Sequence, residues 1–431
     1  MKNENIKWAC IQPLTGGMYI GAENAIGHPA EWILTYKGLD EIKYDENGNP
    51  TIVANEAYLL NYLKKHNKVP KYYKMDRAMF DSNISDLNPD IYLDEKLETP
   101  DYEDLDIVVA VPVCSGLSMV TSGTQETKDA RNCNMLYIAN LVLRKIKPKI
   151  YIFENAPTLV GDRGTGLRKT FEILAEETGY SVIYYKTDTS KHYNCQHRHR
   201  TFCIFTQKID NKNKTPKFEF EDKHIGVIDF FKNIPHGLPN DEVVPIDKTN
   251  IMVLDYMKSI NEHDVKTPVS WIVFSKHVNE FFSYIDRYEN ATKQEKERAK
   301  SYFIHIQDKV SKQMNWYGMD VFRYNKRDDV FPAVMFKTIS SILHPYEDRF
   351  CTVREFLELM GMPRDFEWFG NNSNLNKIGQ NVPVKTAEFI VNQAVNSINN
   401  WNNESRKNGS VMFYDNIKQK IETQVKTNKL F

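Results

Sequence analysis

Two residue types that could act together in covalent and acid–base chemistry each end a short apolar run. Cys114 follows the apolar residues 106–113, and Glu154 follows residues 150–153. Because open α/β sheets hold their ligands beyond the carboxyl ends of the strands, both side chains are predicted at one sheet edge. A cysteine thiolate there could act as a nucleophile, and a carboxyl group with a raised pKa could act as a general acid.

A basic segment provides a third candidate. Residues 196–200 read Q-H-R-H-R and lead into a strand-like run. Arg198 and Arg200 could supply the positive setting that a thiolate needs, provided that their strand lies beside Cys114. For each residue taken alone, plainer alternatives stay open: a buried free cysteine, a surface or helix-capping Glu154, and a solvated basic cluster.

Strand-like and helical patterns alternate through the first half of the chain. The candidate strands are residues 6–11, 51–54, 107–111, 150–153, 181–185 and 201–206. The helical patterns between them are residues 55–66, 132–147 and 167–178. Alternation of this kind favours a largely parallel sheet with helices on both faces. Turn residues within 33–50 predict an inserted hairpin.

The composition changes at about residue 207, where Lys, Asn and Asp replace the apolar alternation. We therefore predict a first domain at 1–206, a second domain at 207–345, and a return segment at 346–431 that completes the first domain. A long charged helix is predicted at 276–314.

Two further segments of the second half stand out. Residues 316–327 interleave aromatic and basic side chains, which suits contacts with nucleic acid and equally suits the packing of a small domain. The tail from Asn399 onward is polar and rich in Asn and Lys.

The length and composition of the chain limit the number of domains and the classes of function that it can have. The length of 431 residues predicts two to three domains. A net charge of −1 does not indicate a strongly basic nucleic-acid-binding domain, although a local basic groove is compatible with it. Six cysteines without C-x-x-C spacing argue against a zinc site or a disulfide scaffold and predict a reducing compartment. The absence of a signal-peptide pattern or membrane-spanning apolar run predicts a cytoplasmic protein of a bacterial or phage-infected cell, without membrane partners.

Five blocks of the sequence, in order, resemble those of the cytosine-5 DNA methyltransferase family. They are P-V-C at 112–114, E-N at 154–155, Q-H-R-H-R at 196–200, T-V-R-E at 352–355 with G-M-P-R-D-F at 361–366, and G-Q-N-V-P at 379–383. The resemblance spans residue 7 to about residue 390, apart from one variable central region. It implies an α/β fold with a mostly parallel, Rossmann-like methyltransferase sheet, helices on both faces, and a smaller target-recognition domain.

The resemblance also implies catalytic roles. Cys114 would add to C6 of cytosine as a thiolate, and Glu154 would supply a proton or hydrogen bond at N3. Arg200 would lie near the base carbonyl, with Arg198 nearer the phosphate backbone. The implied substrate contacts are Ser115, Ser118 and Gln196. The chain departs from the family at Ser115, where the family has glutamine, and at Val113, where it has a second proline.

The implied methyl donor is S-adenosylmethionine, with no metal. The predicted cofactor-binding residues are Thr15, Gly16, Gly17, Glu23, Glu56, Asp76, Pro112, Asn381 and Val382. Glu56 would bind the ribose diol, and Asp76 would hold the adenine amino group. Gln12 and Leu14 depart from the family's turn, which has an aromatic residue and a glycine at these positions.

These implications predict a DNA cytosine-5 methyltransferase that extrudes its target base from double-stranded DNA. We expect a monomer, with a cognate restriction endonuclease as a candidate partner. Two alternatives stay open: the same chemistry on tRNA, and a non-catalytic or regulatory DNA-binding relative. The length of the region 207–345 favours DNA over tRNA, whereas the altered turn and near-neutral charge favour the non-catalytic relative.

Overall fold

The computed structural model describes most of the chain. The described residues are 5–75, 104–113, 117, 132–209, 212–213, 216, 218–243, 248–259, 278–301, 329–334, 342–347, 349–401, 411–418 and 420–424. Four predicted site residues lie outside them, namely Asp76, Cys114, Ser115 and Ser118. The segment 316–327 also lies outside the described residues.

A mostly parallel sheet forms the centre of the molecule. The strands are β1 Trp8–Ile11, β2 Trp32–Tyr36, β3 Ile42–Tyr44, β4 Pro50–Val53, β5 Lys71–Met75, β6 Ile107–Ala110, β7 Ile150–Asn155, β8 Tyr180–Asp188, β9 His199–Ile209, β10 Lys212–Asn213, β11 Val411–Asp415 and β12 Lys420–Gln424. Within the described chain the central order is β12-β11-β8-β9-β7-β6-β1-β2-β5, and β10 pairs with β9. Strand β9 runs antiparallel between β7 and β8, and β12 is antiparallel to β11. The remaining neighbours on this path are parallel.

Helices cover both faces of the sheet, as predicted. They are α1 Gly17–Ile26, α2 Asn55–Lys65, α3 Cys133–Leu141, α4 Thr165–Thr178, α5 Val227–Lys232, α6 Lys248–Ser259, α7 Val278–Arg287, α8 Val353–Leu359 and α9 Val384–Asn399. One apolar core joins α1 and α9 to one face, and a second joins α3 and α4 to the other. Among these described helices, none is long and apolar enough to cross a bilayer.

The strand order changes direction at β1. From β1 the chain proceeds to β2 and β5 on one side, and it returns to β6 on the other side. The carboxyl ends of β1 and β6 therefore border the crevice where open α/β sheets bind their ligands. The turn after β1 and residues 111–113 after β6 lie at this edge.

The prediction of a sheet strand at 51–54 is wrong. Pro50–Val53 pairs with Ile42–Tyr44 in a separate two-stranded hairpin, whereas Trp32–Tyr36 lies beside β1. The physical reason is burial, since Trp32–Tyr36 is buried along its whole length and Pro50–Val53 is largely at the surface. The inserted segment therefore starts after Tyr36 and not at residue 33.

Two other predictions need correction. The helix predicted at 276–314 is interrupted, because α7 ends at Arg287 and a second helical stretch covers residues 293–301. The polar tail contains β11 and β12, which extend the central sheet beyond β8. Three of the five side chains in β11 are buried, and a run this short is hard to recognise within a polar tail.

Candidate active site

Glu154 and Arg200 form an ion pair at the end of strand β7. The Arg200 Nε lies 2.5 Å from the Glu154 Oε1. The antiparallel register pairs Glu154 with Phe202, which brings the start of β9 beside the end of β7. Two of the predicted catalytic residues are therefore in direct contact.

Burial gives Glu154 unusual acid–base properties. Only 4% of the residue is exposed, and this desolvation raises the pKa of its carboxyl group. The positive charges of Arg200 and Arg198 oppose the rise in pKa. Asn155 Oδ1 accepts a hydrogen bond from the Ala156 N–H at 2.9 Å, and this bond holds the turn after the strand.

Arg198 and Gln196 have structural positions instead of the predicted contacts with DNA and substrate. The Arg198 guanidinium is buried and donates to the carbonyl oxygens of Val334, Gly379 and Asn381 at 2.6, 2.6 and 3.2 Å. Gln196 is fully buried and donates to the Leu359 carbonyl at 3.1 Å. Both side chains tie β9 to the return segment, so burial accounts for the difference from the prediction.

The turn between β1 and α1 has an unusual backbone. Gln12, Leu14 and Gly16 have φ angles of 51°, 52° and 108°. Glycine adopts such angles freely, whereas a left-handed conformation costs a residue with a side chain about 1–2 kcal/mol. Leu14, which stands in place of a family glycine, is therefore a strained residue in this turn.

The start of α1 contacts residues 381 and 382, which are far away in the sequence. The Gly17 N–H donates to Asn381 Oδ1 at 2.8 Å. A Cβ on Gly17 would lie 1.8 Å from the Val382 carbonyl oxygen, so only glycine fits here. The structure thus brings together Gly16, Gly17, Asn381 and Val382, which the sequence had placed in one pocket from opposite ends of the chain.

The segment that precedes Cys114 is fixed at the same edge. The Val111 N–H donates to the Ile11 carbonyl at 3.2 Å, and the Val113 N–H donates to Asn134 Oδ1 at 2.9 Å. Asn134 in turn donates to the Tyr36 hydroxyl at 2.9 Å. Sequence reasoning missed Asn134, since an asparagine within a helical pattern carries no distinctive signal.

Residues 64–396 match the family described as C-5 cytosine-specific DNA methylase. The chain belongs to this family. The family resemblance read from the five sequence blocks is thereby confirmed, and family membership implies S-adenosylmethionine as the methyl donor.

Relatives of this methylase include a Methanocaldococcus jannaschii protein named as a type II methyltransferase. It is 23% identical over 291 residues, which are 65% of this chain and 74% of that protein. Among solved structures, an Escherichia coli prophage protein described as a DNA modification methyltransferase has a TM-score of 0.49 at 16% identity, covering 91% of this chain and 99% of its own. Spodoptera frugiperda DNMT2 has a TM-score of 0.45 at 11% identity, covering 90% and 99%.

The edge of the sheet in this methylase offers polar groups suited to the cofactor. Gln12 Oε1 and the Thr15 hydroxyl are buried, and no hydrogen-bond partner for them lies within the described part of the chain. Glu56 Oε1 is also buried, and the Thr35 hydroxyl stabilises the Glu56 carboxylate. The other oxygen of Glu56 accepts from the Tyr72 hydroxyl at 2.8 Å, and burial raises the pKa of Glu56 to about 8. Unpartnered buried polar atoms are costly, so these groups fit a polar ligand.

Glu23 lies further along α1 than the glycines of the turn. It is six residues beyond Gly17 in α1, and a rise of about 1.5 Å per residue carries it roughly 9 Å from the turn. Its carboxylate lies 3.2 Å from Lys68 Nζ. The geometry therefore makes Glu23 a partner of Lys68, and its contact with the cofactor stays a prediction.

The fourth sequence block stabilises the structure of this methylase around α8. Thr352 caps α8 by a reciprocal pair of hydrogen bonds with Glu355. The buried Arg354 guanidinium donates to the carbonyl oxygens of Arg364 and Phe366 at 3.0 and 3.1 Å. The T-x-R-E and G-x-P-x-x-F parts are therefore linked by one arginine, which explains their spacing.

Proposed function

We propose that this protein is a DNA (cytosine-5-)-methyltransferase that acts on an extruded cytosine through a covalent adduct with Cys114. The observation that carries the proposal is the buried ion pair of Glu154 and Arg200. Strand β7, whose second-last residue is Glu154, is the parallel neighbour of β6, after which Cys114 follows. Residues after neighbouring parallel strands share one sheet edge, which supports joint action of Cys114 and Glu154.

In the proposed reaction the Cys114 thiolate forms a bond to C6 of the base. The negative charge that this loads onto the ring is neutralised by a proton that Glu154 donates to N3. A carboxyl group with a raised pKa suits a general acid at neutral pH. Arg200 orients the Glu154 carboxyl group and lies close enough to it to serve the base carbonyl as well.

S-adenosylmethionine supplies the methyl group when it is bound. The main chain at Gly16 and Gly17 would approach it closely, with Thr15 and Pro112 beside it. Glu56 would bind the ribose hydroxyls, and Asp76 would bind the adenine amino group. Loss of the C5 proton to water, return of the N3 proton to Glu154, and breakage of the bond between Cys114 and C6 then release the methylated base and the thiolate.

The proposed substrate is double-stranded DNA, with the region 207–345 reading the target sequence. A base within a duplex is out of reach of these side chains, so the cytosine must be extruded. The name of the Methanocaldococcus jannaschii relative supports a modification role beside a cognate restriction endonuclease. We further propose that the protein acts as a monomer.

Trapping on DNA that contains 5-fluorocytosine tests the proposal, because fluorine at C5 blocks the final elimination. The wild-type protein is expected to form an adduct that Cys114→Ala lacks, whereas Glu154→Gln keeps DNA binding and loses about 10²-fold or more in rate. The same measurement on tRNA separates the two substrates. Methyl transfer by Cys114→Ala would refute the covalent mechanism, and an adduct on tRNA alone would refute the DNA assignment.

The strained Leu14 is the observation that favours a non-catalytic relative. Calorimetric titration with S-adenosylmethionine separates the two functions. We expect binding, with weaker affinity in Glu56→Ala because bonds to the ribose hydroxyls are lost. The absence of heat at millimolar cofactor would favour the non-catalytic function.

A further inference from the structure

Two histidines and one aspartate lie together where β8 meets β9. Asp188 is the last residue of β8, His199 is the first residue of β9, and the two are Cα partners in the ladder. His197 lies two residues before His199. Because side chains alternate across a sheet, Asp188 and His199 lie on the face covered by α3 and α4, opposite to Glu154 and Arg200.

We propose that Asp188, His197 and His199 bind a divalent transition-metal ion, with Zn²⁺ as the representative case. Two imidazole nitrogens and one carboxylate oxygen are a ligand set that zinc and iron accept. Mg²⁺ and Ca²⁺ favour oxygen ligands instead. The set leaves at least one coordination position for water or another ligand.

The donor atoms are close enough to converge on one ion after small side-chain movements. Asp188 Oδ2 lies 2.5 Å from His197 Nδ1 and 3.1 Å from His199 Nε2. All three donor atoms lie within 4.8 Å of one another. Ligand atoms about 2.1 Å from a common metal are roughly 3.0–3.5 Å apart, so small side-chain movements would complete the site.

Hydrogen bonds already orient the carboxylate. Asp188 Oδ1 accepts from the Ser190 N–H at 3.0 Å and from the Arg198 N–H at 3.2 Å, which directs Oδ2 to the histidines. The Thr189 N–H also donates to the Arg198 carbonyl at 3.0 Å and fixes the connection between the strands. Outer hydrogen bonds of this kind strengthen metal sites by holding the ligands in place.

Access to the site is one-sided. The side chain of Asp188 is only 6% exposed, whereas that of His197 is 54% exposed, so an ion could enter from solvent and rest on a buried carboxylate. The cysteine spacing had argued against zinc, but this set contains no cysteine. The signal in the sequence was the pair of histidines that alternates with the two arginines in the Q-H-R-H-R block.

Equilibrium dialysis of the full-length, tag-free protein against Zn²⁺ alone, after chelator treatment, tests the proposal. The variants are His197→Ala and His199→Ala. The matched control is His236→Ala, which removes an exposed histidine near a different carboxylate, that of Asp241. We expect one bound ion per chain in wild type and control, and a loss of at least about 100-fold in affinity in each of the other variants.

Substitution of Co²⁺ for Zn²⁺ provides a second readout, because its visible spectrum reports the ligands. Bands of a nitrogen and oxygen site without thiolate charge transfer support the proposal, whereas a thiolate band places the ion on a cysteine and overturns it. Zinc binding that is absent from the wild type, or equally tight in His197→Ala, also overturns it and leaves the three residues as an ion-pair cluster.

Discussion

Arg200 Nε lies 2.5 Å from Glu154 Oε1, so the proposed proton donor directly contacts a cation that opposes its protonation. Burial raises the pKa of Glu154 and the arginine partly offsets this rise. The balance between the two effects sets the pH range in which Glu154 can act as an acid.

Removal of the Arg200 charge is expected to move that range upward. Only the protonated Glu154 can donate, so the single-turnover rate falls as pH rises through its pKa. Because Arg200 stabilises the carboxylate, Arg200→Ala raises the pKa further and shifts the falling limb to higher pH. Rate profiles against pH measure the shift. Glu154→Gln serves as the control without this limb, and an unmoved limb in Arg200→Ala would contradict the assignment.

The two arginines of the basic block are expected to differ in what they support. Arg198→Ala leaves three main-chain carbonyls without their buried donor, at a cost of about 3 kcal/mol or more. Its Tm should fall by roughly 3 °C or more. Arg200→Ala should lose rate and less stability than Arg198→Ala, because the unpaired Glu154 carboxyl group can take up a proton. Thermal unfolding of both variants compares them. Equal melting temperatures would show that Arg198 is not a structural link.

Gly17 is expected to tolerate no side chain. In Gly17→Ala the new Cβ meets the Val382 carbonyl at 1.8 Å, and the clash should cost about 3 kcal/mol and weaken cofactor binding. Gly161→Ala is the matched control, since its Cβ would make only ordinary contacts of 3.5 Å or more. Unfolding measurements and cofactor titration on both proteins check this. A stable Gly17→Ala with normal affinity would mean that α1 and residue 382 can separate freely.

Glu56 should make stability depend on pH. Its pKa is about 8 in the folded protein and close to 4.5 when unfolded, so the folded state binds the proton more tightly. Its contribution is complete below about pH 4.5 and is lost as pH rises to about 8, by an amount on the order of a few kcal/mol. Glu56→Gln stays neutral and should lack this loss. Parallel curves of stability against pH for the two proteins would argue against a buried, protonated Glu56.

The catalytic half of the fold could be predicted from the sequence because its strands are continuous apolar runs. Residues 150–153 and 201–206 are buried on both faces, and such runs have few alternative structures. The strand Trp32–Tyr36 was not predicted, because the turn residues that follow it closely placed most of it within the inserted hairpin. Residues 411–415 of the tail form a strand because they pair with β8, and no local sequence pattern indicates that pairing.

The positions of the site residues could also be predicted only where local sequence patterns determine them. The positions of Glu154 and Arg200 followed from strand ends, which sequence patterns show. Burial of Arg198 and Gln196 depends on carbonyl groups more than 130 residues away, as the 2.6 Å bond from Arg198 to Val334 illustrates. Side-chain type cannot distinguish an arginine that meets phosphate from one that binds distant main chain.

The contact of Gly17 with Asn381 joins residues that are 364 positions apart. A growing chain on the ribosome therefore carries Cys114 and Glu154 long before it carries the partner that completes the first turn. The contact between these two residues can form only after residue 381 has been synthesised. Chains that stop short of residue 381 therefore contain Cys114 and Glu154 without the side chain that holds the start of α1.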